Sequence, residues 1–433
     1  MAYTTPIENV VVLMMENHSF DNMLGWVKGI GELTGTEKNI SSRTGRVHTT
    51  GEYRSPSFVT NPCPAHDFTD VTKQVFGESG SDCPNMSGFV DDYEAIGGHA
   101  SGVMGCYSPE QLPVITKLAR TFTVCTRWFS SVPGPTGPNR IFASCASSGG
   151  YAGGAYEPNP GPPPGDKCCA DGNCAQKDFL PSELASLKSI FGVMGTNGYT
   201  WGTFHEQTSF ATESVLNEVT SNPVNGRAYW DPGFETFQAK IVKKTLPNYS
   251  FLTPGLLPNS QHSPSDVRYG ECVMANIYEL LANSDYWEKT LFVITYDEHG
   301  GFYDSRETPI TGVVNPGTQD WDQTAPPDYC FECNGTTNFK FDRLGVRVPA
   351  LLISPYVAAG VDCAQYEHSS IVATVLKLFD LTWPETNYRL NAGHYRVNTF
   401  EAAIGGTLRS DLPKSLLRPP ADYTPLPRPV LRS

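Results

Sequence analysis

Two short apolar runs, each followed at once by polar side chains, constrain the fold of this chain most strongly. Residues 10–15 read VVVLMM and precede Glu16 and Asn17, while residues 291–296 read LFVITY and precede Asp297 and Glu298. Unbroken apolar runs of this length are typical of strands covered on both faces, as in a parallel sheet. In an open α/β sheet, ligands bind beyond the carboxyl ends of the strands. The two runs therefore predict buried strands that deliver polar groups to one shared site.

The polar residues at these strand ends indicate a metal site. Carboxylate and amide oxygens are hard donors of the kind that divalent cations bind, and a histidine stands beside each pair. The alternative is that acidic residues simply open the loops that follow the strands. The repeated pattern favours a divalent metal ion, with its identity open between Ca, Mg, Mn and Zn. Its four ligands would be Glu16, Asn17, Asp297 and Glu298.

Strand and helix patterns alternate along the rest of the chain. Residues 350–353 form a third apolar run, and apolar residues at helical spacing occupy 112–122, 267–281 and 371–379. The stretch from Ser108 to Gln111 resembles a capping box before the first helix, and Ser370 is expected to cap the third. The alternation predicts an α/β sandwich with a mostly parallel central sheet flanked by helices.

One catalytic domain is expected over residues 1–405, because the chain shows neither an internal repeat nor a domain linker. Loop insertions rich in Gly and Pro, or without apolar pattern, are expected near 150–175 and 308–337. Residues 406–433 contain repeated prolines and little apolar pattern, so a Pro-rich tail that lies along the surface or is disordered is expected there.

A third polar stretch, SSVPGPTGPNR at residues 130–140, offers a candidate nucleophile. Thr136 lies between prolines and glycines, in a predicted turn whose backbone amides can face an anion. A metal lowers the pKa of a bound hydroxyl, which would make Thr136 nucleophilic. Arg140 would then reach a phosphoryl oxygen. The alternative is an ordinary surface loop.

Histidines in three further loops complete the candidate site. They are His66 in CPAHDFTD, His262 in NSQHSPSD and His368 in YEHSS. An imidazole can act as acid or base near neutral pH, although a single loop histidine is more often a surface residue. Asp304 follows the Asp297–Glu298 pair closely and is either a supporting group of the site or a loop carboxylate.

The net charge of −14 argues against a general nucleic-acid binder, which needs clustered Lys and Arg. It also leaves no basic patch for anionic membranes, so only a transient membrane contact at the substrate-entry face is expected. No apolar run approaches the roughly 18 residues needed to cross a bilayer, and the N-terminus lacks the pattern of a signal peptide. The expected location is cytoplasmic or peripheral to a membrane, or secreted if a leader has been removed. The oligomeric state is left open.

Twelve cysteines are many for a cytosolic chain. Their even number and the cluster of Cys168, Cys169 and Cys174 in a Pro- and Gly-rich loop suit disulfide bonds. Cys330 and Cys333 form a second cluster. A structural zinc site built from both clusters is the alternative. The cellular compartment is left undecided.

A resemblance to a known family rests on seven stretches that follow one another over roughly residues 8–380. They are ENHSFDNMLGW, NMSGFV, LARTFTVCTRWFSSVPGPTGPNR, LPNYSFL, ITYDEHGGFYD, FDRLGVRVPALLISPY and EHSSIVATVLKLF. In this order they resemble the phosphoesterases that include bacterial phospholipases C, acid phosphatases and plant non-specific phospholipases C. The resemblance implies an alkaline-phosphatase-like α/β fold.

The resemblance also implies roles for individual residues. Thr136 would form a phospho-threonine intermediate, and His66 and His262 would stabilise the phosphoryl group or protonate the leaving group. Glu367 and His368 match a stretch near the family's site. The first metal-ligand pair would be Glu16 with Asn17, and the second Asp297 with Glu298.

The activity implied is metal-dependent hydrolysis of a phosphoric ester by a phospholipase C, which releases diacylglycerol and a phosphorylated head group. Hydrolysis of soluble phosphomonoesters, as by an acid phosphatase, is the alternative. A non-catalytic binding protein that kept the fold is a third hypothesis, and the intact metal and nucleophile positions count against it.

Three positions depart from the family's pattern. The family usually has Arg at the position of His18, often a second histidine at that of Ser265, and commonly Asp-His where this chain has Asp304-Ser305. The loss of two histidines leaves open which side chain is the general acid.

Overall fold

An eight-stranded sheet forms the centre of the molecule in a computed structural model, which describes residues 5–78, 80–152, 182–207, 212–316, 339–390 and 397–419. The strands are β1 Asn9–Met15, β2 Lys38–Ile40, β3 Val47–Thr49, β4 Thr123–Cys125, β5 Trp128–Phe129, β6 Trp201–His205, β7 Gly226–Trp230, β8 Tyr249–Thr253, β9 Thr290–Tyr296, β10 Ala350–Ile353, β11 Gly360–Asp362 and β12 Tyr366–Glu367. The order across the central sheet is β11-β4-β10-β9-β1-β8-β6-β7, while β2 pairs with β3 and β5 with β12.

The five strands from β9 to β7 in that order are all parallel. Strand β10 is antiparallel to both of its neighbours, β9 and β4. Every residue of β1 and β9 is buried, as expected for strands covered on both faces. The predicted α/β architecture with a mostly parallel sheet is therefore confirmed.

Helices cover the sheet in two groups, α6 with α7 and α11, and α10 with α5 and α9. The α-helices are α1 Phe20–Leu24, α2 Phe68–Phe76, α3 Phe89–Ala95, α4 Ser101–Met104, α5 Pro113–Thr121, α6 Thr136–Cys145, α7 Ile190–Thr196, α8 Asn217–Thr220, α9 Glu235–Val242, α10 Arg268–Ala282 and α11 Ser369–Leu378. Short 3₁₀ helices cover Thr50–Tyr53, Ser182–Ser186, Thr212–Val215, Pro232–Phe234, Trp287–Lys289 and Glu401–Ala403. Among the described residues, none of the helices combines the length and apolar character needed to span a bilayer.

The register of β1 and β9 positions the site. Met15 lies beside Tyr296, so the two strands end at the same level and release Glu16 and Asp297 side by side. The chain ends of β8 and β6 lie further along this edge of the sheet. We call this the catalytic edge.

Two predicted helix starts differ from those observed. Ser108 and Gln111 exchange the reciprocal hydrogen bonds of a capping box, but the α-helix begins only at Pro113. Helix α11 begins at Ser369, and the Ser370 hydroxyl accepts a bond from the Glu367 amide instead of occupying the N-cap position. Because Ser370 already lies inside the helix, the prediction that it caps α11 is wrong.

The expected turn at Thr136 is in fact the start of a ten-residue helix, α6. Pro135 occupies the N-cap and Pro138 lies in the first turn, where a proline is tolerated because those amides have no helical acceptor. The Pro and Gly residues that suggested a loop therefore belong to a helix start.

The C-terminal segment is packed on the body of the protein as far as it is described. Leu412 and Leu416 belong to the same hydrophobic cluster as Ile7. The Tyr278 hydroxyl donates to the Pro413 carbonyl at 2.6 Å, and Arg418 donates to Glu279 on α10 at 3.0 Å. The rest of the predicted tail, from 420, lies outside the described residues, as do residues 153–175 and 317–337 of the two predicted insertions.

Both predicted cysteine clusters also lie outside the described residues. Cys63 is disulfide-bonded. The thiols of Cys83 and Cys363 are exposed, and those of Cys106, Cys125 and Cys145 are buried.

Candidate active site

The ends of β1 and β9 are bound to each other through the Asp297 carboxylate. Its Oδ1 accepts hydrogen bonds from the backbone amides of Asn17, at 3.2 Å, and Glu298, at 2.8 Å. Asn17 has a left-handed backbone (φ 52°), and Gly300 approaches it so closely that a Cβ at Gly300 would lie 2.3 Å from the Asn17 carbonyl oxygen. The turn therefore requires glycine at 300, and it holds Asn17 beside Asp297 and Glu298.

Arg140 reaches this cluster from α6 with a fully buried side chain. Its guanidinium donates to a Glu16 oxygen and to the Met14 carbonyl, and its Nε lies 3.4 Å from Asp297 Oδ2. These contacts are with carboxylates and backbone, so Arg140 offsets the negative charge of the strand ends. Its predicted contact with a phosphoryl oxygen stays a prediction.

Thr136 lies at the first turn of α6 and is buried. Its hydroxyl donates a hydrogen bond of 3.3 Å to Glu16 Oε2. The N-terminus of a helix carries partial positive charge from unpaired amides, which favours an anion at that point. A phosphoryl group attached to Thr136 would sit at such a helix end.

His66 and His262 face each other, with ring centroids 5.9 Å apart. Each Nδ1 lies against a backbone carbonyl, that of Pro64 at 2.7 Å and that of Ser263 at 2.5 Å, so each Nδ1 carries the hydrogen. The Nε2 atom of His66 lies 3.1 Å from the side-chain nitrogen of Asn17 and 3.7 Å from Glu298 Oε1, so it faces the ends of β1 and β9.

The two imidazoles differ in basicity. Burial acts to lower the pKa of His66, but the Glu298 carboxylate and the Pro64 carbonyl outweigh it and raise that pKa. Burial, reinforced by the charge of His66, lowers the pKa of His262 to about 4. Opposed pKa shifts in neighbouring groups are the pattern expected of an acid and base pair.

His368 is fully buried and has a partner at both ring nitrogens. Its Nε2 lies 2.6 Å from the Asp297 carbonyl, and its Nδ1 accepts from the Trp128 indole at 3.3 Å. Burial lowers the pKa of His368, which keeps it neutral. His368 therefore ties β9 to β5, and the structure gives it a supporting position behind Asp297. A direct catalytic role stays a prediction.

The strand ends offer oxygen donors of the type that a metal ion binds. In the described part of the chain, however, no group of three or more His, Cys, Asp or Glu side chains is placed so that it could hold a metal ion. Three buried oxygens of the cluster nevertheless lack any hydrogen-bond donor, namely Asn17 Oδ1, Asp297 Oδ2 and Glu298 Oε1. Buried oxygens without donors are costly unless something else contacts them. Burial and the neighbouring carboxylates also raise the pKa of Glu16, against the opposing effect of Arg140. Hard oxygen donors in a negatively charged pocket fit a divalent cation.

Asp304 belongs to a separate buried ion network. Arg347 donates to Asp304 at 3.0 Å and to Asp21 at 2.8 Å, and all three side chains are buried. Ser305, where the family commonly has histidine, donates its hydroxyl to Asp21 at 2.5 Å. Asp304 is thus a buried, ion-paired carboxylate, and a role in supporting the site stays a prediction.

The other two departures from the family's pattern are also buried. His18 stacks on Phe302 with centroids 4.4 Å apart, and its ring nitrogens contact Asn22 Oδ1 and the Gln261 carbonyl. Ser265 is bonded through its amide to the His262 carbonyl at 2.8 Å.

Sequence patterns gave no sign of several residues that position the site. Gln261, which precedes His262, has a left-handed backbone (φ 79°). Its side-chain amide accepts a hydrogen bond from the Tyr296 hydroxyl and donates one to the Val267 carbonyl. Ser131, at the start of the Thr136 loop, donates to Glu367. The contacts with Tyr296 and Glu367 join residues far apart in the chain, so no local pattern could reveal them.

Comparison with known proteins identifies the family to which the chain is similar. Residues 7–382 match the model of the Phosphoesterase family. The chain is 34% identical to non-specific phospholipase C6 of Arabidopsis thaliana, over 96% of this chain and 75% of that protein, and 28% identical to phospholipase C B of Mycobacterium tuberculosis, over 88% and 75%.

A comparison with solved structures matches a protein of the alkaline phosphatase superfamily from Vibrio parahaemolyticus, with a TM-score of 0.39 and 12% identity over 87% of this chain and 67% of that one. The family match, which spans most of the chain, identifies the chemistry as hydrolysis of phosphoric esters. The chain belongs to the phosphoesterase family.

Proposed function

We propose that this protein is a metal-dependent phospholipase C that acts through a phospho-threonine intermediate. The observation that carries the proposal is the Thr136 hydroxyl, which lies at the start of a ten-residue helix and is bonded to Glu16 at 3.3 Å. The names of the relatives from Arabidopsis thaliana and Mycobacterium tuberculosis support a phospholipid as substrate.

Glu16, Asn17, Asp297 and Glu298 would hold the cation. When bound, it would supply positive charge that lowers the pKa of the Thr136 hydroxyl and attracts a phosphate oxygen. The excess of negative charge around the single guanidinium of Arg140 supports this assignment.

In the first step, Thr136 Oγ1 attacks phosphorus and the bond from phosphorus to the diacylglycerol oxygen breaks. Glu16 Oε2, which already accepts the hydroxyl hydrogen, is positioned to receive the proton. The amides at the start of α6 favour the charge that develops on the phosphoryl oxygens.

The leaving alkoxide takes a proton from the Nε2 of His66 or His262. His66 is favoured, because its raised pKa keeps the proton available and Glu298 lies beside it. Such proton transfer contributes typically 10²–10⁴-fold to a rate. In the second step water attacks phosphorus and gives a proton to the same histidine, the bond from phosphorus to Thr136 Oγ1 breaks, and Glu16 returns its proton to Thr136 as the phosphorylated head group leaves.

The test is the intact mass of the protein, quenched in acid during turnover of a choline phospholipid. We expect an adduct of one phosphocholine group in the wild type and none in Thr136→Ala, with release of phosphocholine lost in that variant. Thr136→Ser is the matched control, because it keeps the hydroxyl and should keep the adduct. Full activity of Thr136→Ala would contradict the proposal.

Hydrolysis of a small aryl phosphate measured beside the phospholipid separates the proposal from its alternative. A phospholipase C prefers the lipid. Preference for the soluble monoester would indicate an acid phosphatase that uses the same residues.

A further inference from the structure

Trp230 is the only large aromatic side chain among the exposed apolar residues of the described chain. It is 65% exposed at the end of β7, beside His205 of β6. Strand β7 is the third strand from β1 across the parallel part of the sheet, so Trp230 lies roughly 14 Å from the strand that bears Glu16. An exposed indole therefore stands on the catalytic edge.

Further apolar side chains lie on loops that Glu206 joins to the end of β7. Pro232 and Pro258 are exposed, and Leu257 is half-buried. Leu257 and Pro258 belong to the same loop as His262. We call Trp230, Pro232, Leu257 and Pro258 the apolar rim.

A buried carboxylate holds the rim in place. Glu206 accepts hydrogen bonds from the Gly233 amide at 3.0 Å, the Gly255 amide at 2.9 Å and the Asn259 side chain at 2.8 Å. Its own backbone carbonyl accepts from the Trp230 indole at 3.1 Å. Glu206 thus joins the loops after β6, β7 and β8, and the rim is preorganised, so little conformational entropy is lost when it binds a surface.

The charge of the chain decides which surface fits. A net charge of −14 repels anionic lipid, so binding must come from apolar contact. Tryptophan is enriched where proteins meet the lipid–water interface. Resting on the proposed phospholipase C activity, we propose that the apolar rim, with Trp230 at its centre, docks the protein on zwitterionic phospholipid surfaces and brings the catalytic edge to the lipid.

The test measures hydrolysis of the same phosphate ester bond in phosphatidylcholine that is presented in two physical states. Long-chain phosphatidylcholine in vesicles and short-chain phosphatidylcholine dispersed as monomers present the same head group to the site. Trp230→Ala should lower the rate on vesicles by about tenfold, the effect expected from losing one large apolar contact. Its rate on monomers should stay within about twofold of the wild type.

Leu417→Ala is the matched control. Leu417 is 76% exposed, but its segment packs near the end of α10, at the opposite end of the sheet from the catalytic edge. It should leave both rates unchanged. Trp230→Gln, which keeps a side-chain N–H for the Glu206 carbonyl, should repeat the effect of Trp230→Ala and covers the case in which that variant fails to fold.

Sedimentation with phosphatidylcholine vesicles measures docking without catalysis. The wild type should sediment with the vesicles, and Trp230→Ala should do so less. Equal sedimentation of the two, or equal loss of activity on vesicles and monomers, would overturn the docking role of Trp230. A wild type that hydrolyses neither form would instead overturn the proposed function, while sedimentation would still decide the role of the rim.

Discussion

Two buried arginines join the same pair of chain segments in different ways. Arg347 binds Asp21 and Asp304 with every nitrogen satisfied, since Nε and one terminal nitrogen contact the carboxylates and the other donates to the Thr126 carbonyl. Arg140 sits between Glu16 and Asp297, but its Nε and one Asp297 oxygen have no hydrogen-bond partner. Both clusters connect the region after β1 to the region after β9.

The difference in hydrogen bonding distinguishes the Arg347 cluster, which supports the fold, from the Arg140 cluster, which belongs to the candidate site. A buried ion network in which all donors and acceptors are satisfied holds one geometry. A network with unpaired buried oxygens is costly unless another group contacts those oxygens. Such a network is therefore expected at a binding site. We therefore expect changes at Arg347 to alter stability first, and changes at the Arg140 cluster to alter activity first.

The largest effect is expected from Asp297→Asn. It should lower kcat at least about 10³-fold, because removing one charged group at the reacting centre costs several kcal/mol of transition-state stabilisation. Its free energy of unfolding in a chelator should stay within about 1 kcal/mol of the wild type, because the substitution relieves repulsion among carboxylates. Urea unfolding and steady-state kinetics measure the two quantities.

Metal addition provides the control for that variant. A divalent cation that binds only the folded wild type should raise its unfolding temperature in a concentration-dependent way. Asp297→Asn should show little of this rise. An equal rise in both proteins would place the cation elsewhere.

Arg347→Met should destabilise the protein by about 3–5 kcal/mol, because it leaves Asp21 and Asp304 buried without their cation. Arg347→Lys keeps the charge and should cost less. Denaturant unfolding measures both variants. If Arg347→Met reduced kcat while leaving stability unchanged, the division between scaffold and site would be wrong.

Removal of His66 should lower kcat on a phospholipid by about 10²-fold, since the alkoxide leaving group needs a proton. A nitrophenyl ester needs no such proton, so the loss should shrink on that substrate. His262→Ala is the paired measurement, with a smaller loss expected, because burial leaves His262 neutral. A loss for His66→Ala that is the same on both substrates would exclude it as the general acid.

Glu271, in the first turn of α10, is a third buried carboxylate whose effect on stability can be measured. Its oxygens accept from the amides of Val114 and Ile115 at the start of α5, yet burial outweighs these bonds and raises the pKa of Glu271 to about 8. The folded state then holds this proton more tightly than the unfolded state. Its stabilising contribution is complete below about pH 4.5 and is lost as the pH rises through 8, by roughly 1–3 kcal/mol. Urea unfolding at pH 5 and pH 8 should show a steeper decline in the wild type than in Glu271→Gln.

The sequence allowed good prediction wherever local pattern and burial coincide. The apolar runs before Glu16 and Asp297 are seven-residue strands buried throughout, and α10 begins within one residue of its predicted start. The candidate residues converge because strand ends of a parallel sheet share one edge. These features depend on neighbouring residues alone.

Features that depend on distant residues escaped prediction. The ion pairing of Asp304 depends on Arg347, 43 positions later. The link between Ser131 and Glu367 spans 236 positions and has no local signal. Helix α6 was not predicted because Pro135, Gly137 and Pro138, at its start, are residues of low helix propensity.

The docked C-terminal segment has a practical consequence for handling the protein. Helix α10 runs for 15 residues, about 22 Å, from the loop of His262 to the end where Arg418 is bound. A support or label attached beyond Arg418 would therefore hold the molecule by the end remote from its catalytic edge. Protein immobilised in this way on a sensor chip would present that edge outward, ready to meet lipid vesicles passed over it.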